Sequence, residues 1–144
     1  MIKKEKNLFK DNIVLDTGPL IDYLCNTGVV EFVQNEVIDN PKIKNIIISP
    51  ITLTEIFYIL CRQKGEIFAK DSIDLLRAAV KVELEFKIRE IAGKYKCERA
   101  ISLADCYTLA TAKLNSATAL FKKEEEIDNE LKNEPFDLDL KIIE

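Results

Sequence analysis

Four carboxylates stand where chemistry is conceivable. Asp16 closes the apolar run NIVLD, and Glu55 lies in the first turns of the segment that follows NIIIS. Asp105 comes three residues after Ser102 in ISLAD, and Glu124 follows the apolar run SATALF. The 144-residue chain has no histidine, which removes Ser-His-Asp and Cys-His catalysis and imidazole as a general base. Carboxylates crowded together repel, and burying them is costly unless cations compensate. Mg²⁺ or Mn²⁺ is the natural compensation, because both favour oxygen ligands and keep some coordinated water. Such an ion binds a phosphate oxygen, lowers the pKa of its water and supports a leaving oxygen. Phosphodiester hydrolysis needs those functions and no imidazole.

Taken singly, each acid has a plainer explanation. Asp16 before Thr17-Gly18 could brace a turn. Glu55 could be an ordinary helix glutamate. Ser102 and Asp105 have the spacing of a capping box. Glu124 begins the run EEEID, which could be a solvated face near a helix N-terminus. The case for a shared site rests on their order and placement. Zinc is a poor alternative, since Cys25, Cys61, Cys97 and Cys106 are scattered and form no C-x-x-C pair. They read as reduced, mostly buried thiols.

The elements that would position these acids follow from the apolar pattern. Residues 12–16 and 45–49 read as buried strands, the second rich in β-branched residues. Thr17-Gly18-Pro19 turns into a helix, and a second helix covers about 29–38. Ser49-Pro50 opens a helix that runs to about Gln63 and ends at Gly65. Helical spacing continues over 66–79. VKVEL fits either strand or helix, and residues 86–95 fit a helix. Ser102 caps a helix reaching about Leu114, residues 116–121 form a strand, and a short acidic helix covers 124–131. FDLDLKII alternates like an edge strand. Strands alternating with helices, the early ones apolar on both faces, predict an α/β fold around a mainly parallel sheet. In such sheets ligands bind beyond the carboxyl ends of the strands, where these four acids would gather.

One domain accounts for this length. Apolar residues make up 47% and charged residues 32%, a mixture typical of globular chains. Residues 1–10 are polar and expected to be flexible, with the folded domain over 11–144. They carry no apolar stretch of the signal-peptide kind, and no run approaches a membrane span, so a cytoplasmic location is expected. The net charge of −4 argues against a generic nucleic-acid coat protein. It leaves room for a nuclease whose own site holds several carboxylates.

Three segments resemble a known family. IVLDTGPLIDYL is similar to the opening of a PIN domain, ISPITLTEIFYIL to its second block, and ISLADCYTLATA to the Ser-x-Ala-Asp helix of the VapC-like branch. The resemblance runs from about Ile13 to Ile143. It implies a three-layer α/β/α sandwich and a Mg²⁺- or Mn²⁺-dependent ribonuclease. By motif position it places metal ligands at Asp16, Glu55 and Asp105, with Thr17 as a supporting hydroxyl beside the first aspartate. The fourth block departs from the pattern: where many members have Thr-x-Asp after the strand, this chain has Lys122 and Glu124. Glu124 is taken as the fourth ligand, with Glu126 as fallback.

The resemblance further implies a toxin of a VapBC-type pair, silenced by an antitoxin protein and commonly dimeric. The apolar faces around residues 20–24 and 56–60 could serve a homodimer or the core equally. Arg99, Arg62, Lys122 and Lys123 are candidate contacts for RNA phosphates, Arg99 the best placed because it precedes the ISLAD helix. Each is otherwise a solvated surface charge. A PIN domain that binds RNA or protein without cleaving is the alternative, favoured by the departures at Lys122 and Glu124. An aspartyl phosphatase would want D-x-D, and a phosphorelay receiver paired aspartates; DTG at Asp16 suits neither.

Overall fold

A computed structural model describes residues 11–144. The segment 1–10, expected to be flexible, lies outside the described residues. Among the described residues, three apolar runs, a two-residue edge strand and a terminal alternating run build the sheet. These are β1 (Asn12–Leu15), β2 (Asn45–Ile48), β3 (Lys81–Val82), β4 (Thr118–Lys122) and β5 (Asp139–Ile143). Their order is β3-β2-β1-β4-β5 and every pairing is parallel, with Val14 opposite both Ile47 and Ala119. Parallel neighbours require crossovers, which the helices supply.

Both faces of β1 are covered. Ile13 and Leu15 pack with Leu20, Ile56 and Leu60 on one side, beneath α1 (Thr17–Cys25), α3 (Pro50–Lys64) and α4 (Glu66–Ala79). Val14, Ala119 and Phe121 pack with Ile88, Leu109 and Ile127 on the other, beneath α5 (Glu85–Glu98), α6 (Leu103–Leu114) and α7 (Glu125–Asn133). The result is the expected three-layer α/β/α arrangement, with a sheet that is wholly rather than mainly parallel. The helix α2 (Val30–Val33) passes into a π-helical turn, Gln34–Ile38, closed by Asp39 N–H donating to the Gln34 carbonyl at 2.8 Å.

VKVEL resolves into the two-residue edge strand β3, prolonged by Glu83 N–H donating to the Ile48 carbonyl at 2.9 Å. FDLDLKII supplies the other edge, β5. Leu20, Ile56 and Leu60, from the faces considered for a dimer, are spent on the core. Of the cysteines only Cys106 is fully buried; Cys97 is exposed, because it falls off the Ile88–Ala92–Tyr95 face by which α5 packs. Among the described residues, no helix is long and apolar enough to cross a membrane.

Candidate active site

Asp16 follows β1 directly and is the N-cap residue of α1, but its carboxylate makes no capping bond. Oδ1 instead accepts a hydrogen bond from the Thr108 hydroxyl at 2.8 Å, across the sheet edge on α6. The turn-bracing explanation therefore does not account for this side chain. Thr17 Oγ1 donates to Glu55 Oε1 at 2.7 Å, which ties the first turn of α1 to α3. Ser49 caps α3 by accepting from Ile51 N–H at 3.2 Å, with Pro50 at the first helical position, and so sets where Glu55 falls.

Ser102 Oγ accepts from the Asp105 N–H at 3.1 Å and caps α6 as expected. Asp105 and Thr108 are three residues apart and share one helix face, so the helix that fixes Asp16 also presents Asp105. Glu124 is the N-cap residue of α7 rather than part of the helix. The strand before it ends one residue later than expected, because Lys122 still pairs with Ile143 on β5.

These residues line one cavity of about 380 Å³ beyond the carboxyl ends of the strands. It holds Asp16, Glu55, Asp105 and Glu124, the fallback Glu126, and the supporting Thr17 and Ser102. Asp22 also lines it and was not anticipated. Among the described residues, Lys122 is the only basic one in its wall.

Crowding raises three of these carboxyls, Asp16, Asp105 and Glu124. Burial first, and then Asp105 and Glu124, hold the Asp16 carboxyl well above the ordinary aspartate value, against the pull of the Thr108 hydrogen bond. Burial and Glu124 push Asp105 up to about 7, with a smaller opposing effect from Ser102. Glu124 stands at the open rim; partial burial, Glu126 and Glu55 raise it. Such mutual elevation marks acids crowded together without a cation between them.

The donors are all hard oxygens, which suits Mg²⁺ or Mn²⁺ and not zinc. As the side chains stand, no three acidic or thiol groups among the described residues converge into a ready-made metal cage. Asp16 and Glu55 are satisfied instead by the neighbouring hydroxyls of Thr108 and Thr17.

Three of the four predicted RNA contacts, Arg99, Arg62 and Lys123, lie outside this cavity. Arg99, expected to be best placed, donates to the carbonyls of Glu134 at 2.7 Å and Pro135 at 2.8 Å. Its guanidinium also stacks 4.0 Å from the Phe136 ring centroid, and its side chain is only 9% exposed. It braces the 134–136 segment against the end of α5 and belongs to a separate cavity. Arg62, in the last turn of α3, lies over the Tyr58 ring at 5.2 Å. Lys123 pairs with Glu144 on the surface.

The PIN-domain family model matches residues 13–129. The chain belongs to the PIN-domain family. Solved structures share this PIN fold. VapBC-1 of nontypeable Haemophilus influenzae superposes with TM-score 0.63 at 21% identity, covering 91% of this chain and 97% of that one. VapBC2 of Rickettsia felis, bound to a DNA fragment from its promoter, gives 0.64 at 16% identity, covering 92% and 99%. Mycobacterium tuberculosis VapC20, a toxin that cleaves the sarcin–ricin loop, gives 0.63 at 18%, covering 74% and 86%. No curated protein sequence matches this PIN domain.

Proposed function

We propose that this PIN domain is a divalent-metal-dependent ribonuclease and the toxin of a toxin–antitoxin pair. The observation that carries the reading is the gathering of Asp16, Glu55, Asp105 and Glu124, from four distant segments, in one cavity at the strand ends. The fold shared with VapC20 and with VapBC complexes supports it at family level.

Asp16, Glu55, Asp105 and Glu124 would hold one or two Mg²⁺ or Mn²⁺ ions. The bound metal supplies charge neutralisation, an acidified water and support for the departing 3′ oxygen. The chain's own residues fix the geometry. The Thr108 hydroxyl aims Asp16, Thr17 aims Glu55, and the Ser102 cap sets the start of the helix that presents Asp105. With the metal bound, hydrolysis of an RNA phosphodiester would leave a 5′ phosphate and a 3′ hydroxyl. Lys122 is positioned to meet a substrate phosphate. An antitoxin protein is the expected partner, a homodimer the expected assembly, and the cytoplasm the expected location.

A second reading, an RNA- or protein-binding PIN domain without cleavage, is favoured by the absence of a preformed cage among the described residues and by Lys122 and Glu124 in the fourth block. Incubation with structured and single-stranded RNAs in Mn²⁺, Mg²⁺ or EDTA, beside Asp105→Asn, separates the two. Metal-dependent cleavage by the unmodified protein alone, with 5′-phosphate ends, supports the nuclease. Intact RNA in every lane supports the binding module.

A further inference from the structure

Asp22 lies within IVLDTGPLIDYL but is assigned no role there, yet it is the most firmly held carboxylate in the cavity wall. Its side chain is only 9% exposed, and Lys122 Nζ lies 2.8 Å from its Oδ2. The loop after α1 closes over it: Val29 N–H donates to Oδ2 at 3.1 Å and the Thr27 hydroxyl to Oδ1 at 3.3 Å. That closure requires Gly28, at φ +49°, since a Cβ there would meet Asp22 Oδ2 at 2.1 Å. Burial alone would raise the Asp22 carboxyl, but the bonds from Lys122, Val29 and Thr27 outweigh it and hold it below the ordinary value. Asp22 is thus a fixed anion.

Lys122 is held at both ends. Its stem packs against the first turn of α1, where a Cβ on Gly18 would lie 3.1 Å from Lys122 Cβ. Its head meets Asp22, its only ion-pair partner among the described residues, while the side chain stays 41% exposed at the cavity. An ammonium has three N–H donors, so others are left for a ligand. Glu124 and Asp16 line the same cavity, so a lysine released from Asp22 has these acids to pair with in place of a cation. A pair of this kind adds little to stability over an apolar replacement, so stability alone is a weak reason for it.

We propose that Asp22 is a positioning residue that keeps Lys122 off the metal-binding carboxylates and aims its ammonium at a non-bridging phosphate oxygen of bound RNA. The inference rests on the ribonuclease reading above. It makes Lys122 the fixed positive charge among the six acids of the cavity wall.

The test compares the unmodified chain with Asp22→Asn and with the neutral pair Asp22→Asn/Lys122→Met. The neutral pair removes both charges and leaves no buried ion unpaired. Binding of a labelled single-stranded RNA is followed by fluorescence anisotropy with Ca²⁺ in place of Mn²⁺, and kcat and KM are measured with Mn²⁺, both across a salt series. The neutral pair is expected to lose about tenfold in RNA affinity or kcat/KM, with a salt slope shallower by about 0.7, the share of one phosphate contact on a single strand. Asp22→Asn keeps the ammonium but releases it from its aim, so its slope should fall toward that of the neutral pair while kcat falls about tenfold. If the unmodified chain cuts RNA and the neutral pair matches it in affinity and slope, or Asp22→Asn matches it in kcat, this inference is overturned and the nuclease stands. If the unmodified chain neither binds nor cuts RNA, both fall.

Discussion

The Thr108 hydroxyl donates to Asp16 Oδ1 at 2.8 Å, joining residues 92 positions apart at the centre of the sheet edge. Asp16 is nearly fully buried and Thr108 is 1% exposed, so this bond cannot be replaced by bulk water. Leaving a buried acceptor without its hydrogen bond costs about 1–3 kcal/mol. Thr108→Val, which keeps the shape, should lower stability by that amount in urea unfolding near neutral pH. It should also weaken Mn²⁺ binding by about 10–100-fold, the usual cost of losing an orienting partner. Unchanged metal affinity would remove Thr108 from the site.

The raised carboxyls predict an unusual pH dependence. Asp105 rises from the ordinary 3.8 to about 7, and Asp16 is also held well above its ordinary value, by burial first and by neighbouring acids next. A raised carboxyl binds its proton more tightly in the folded chain than in the unfolded one. Between those two values the folded chain holds the extra protons, so stability falls as pH rises. The Tm of the metal-free protein should therefore drop between roughly pH 4 and pH 7, and saturating Mn²⁺ should flatten the curve. Asp105→Asn should remove much of the drop and stabilise the metal-free chain at high pH by on the order of 2 kcal/mol. A metal-free Tm that rises over this window would contradict the account.

Most of this architecture is legible in the residues, and the exceptions have physical reasons. The runs at 12–16 and 45–49 are apolar on both faces, which is what a doubly covered parallel strand requires. The serine caps at Ser49 and Ser102 hold because each hydroxyl finds a backbone N–H in the first turn of its helix. Asp22 was not visible: six residues after Asp16 on an amphipathic helix, it looks like a surface charge. It is buried by a loop whose path depends on Gly28, and its partner is 100 residues away. The signal available was its spacing of four from Gly18, which puts both on one helix face. Arg99 misleads for the opposite reason. It is close to Ser102 along the chain, but its side chain turns toward Pro135 and Phe136, a long-range contact without local pattern.

Arg99 should accordingly behave as a structural residue. Arg99→Ala removes two bonds to carbonyls and the stacking on Phe136, and should cost about 1–3 kcal/mol in thermal or urea unfolding. Arg99→Lys should recover only part of this, since an ammonium lacks the planar fork. RNA affinity of the folded variant should be unchanged; a drop would return Arg99 to the RNA surface.

Gly28 gives a test of the loop over Asp22. Gly28→Ala combines a positive φ with a Cβ 2.1 Å from Asp22 Oδ2, so the loop must open. The expected loss is about 2 kcal/mol or more, together with impaired RNA cleavage. Gly18→Ala meets only the Lys122 stem at 3.1 Å and should be milder. Equal stability of Gly28→Ala and the unmodified chain would show that the loop is not pinned on Asp22.

The central claim, that Asp16, Glu55, Asp105 and Glu124 form a divalent-cation site, is tested most directly by titrating Mn²⁺ into the protein in a calorimeter near neutral pH. The account predicts saturable binding that weakens at least about tenfold in Asp16→Asn, because a ligand and its charge are removed together. No binding to the unmodified chain, or binding unchanged in Asp16→Asn, would contradict it.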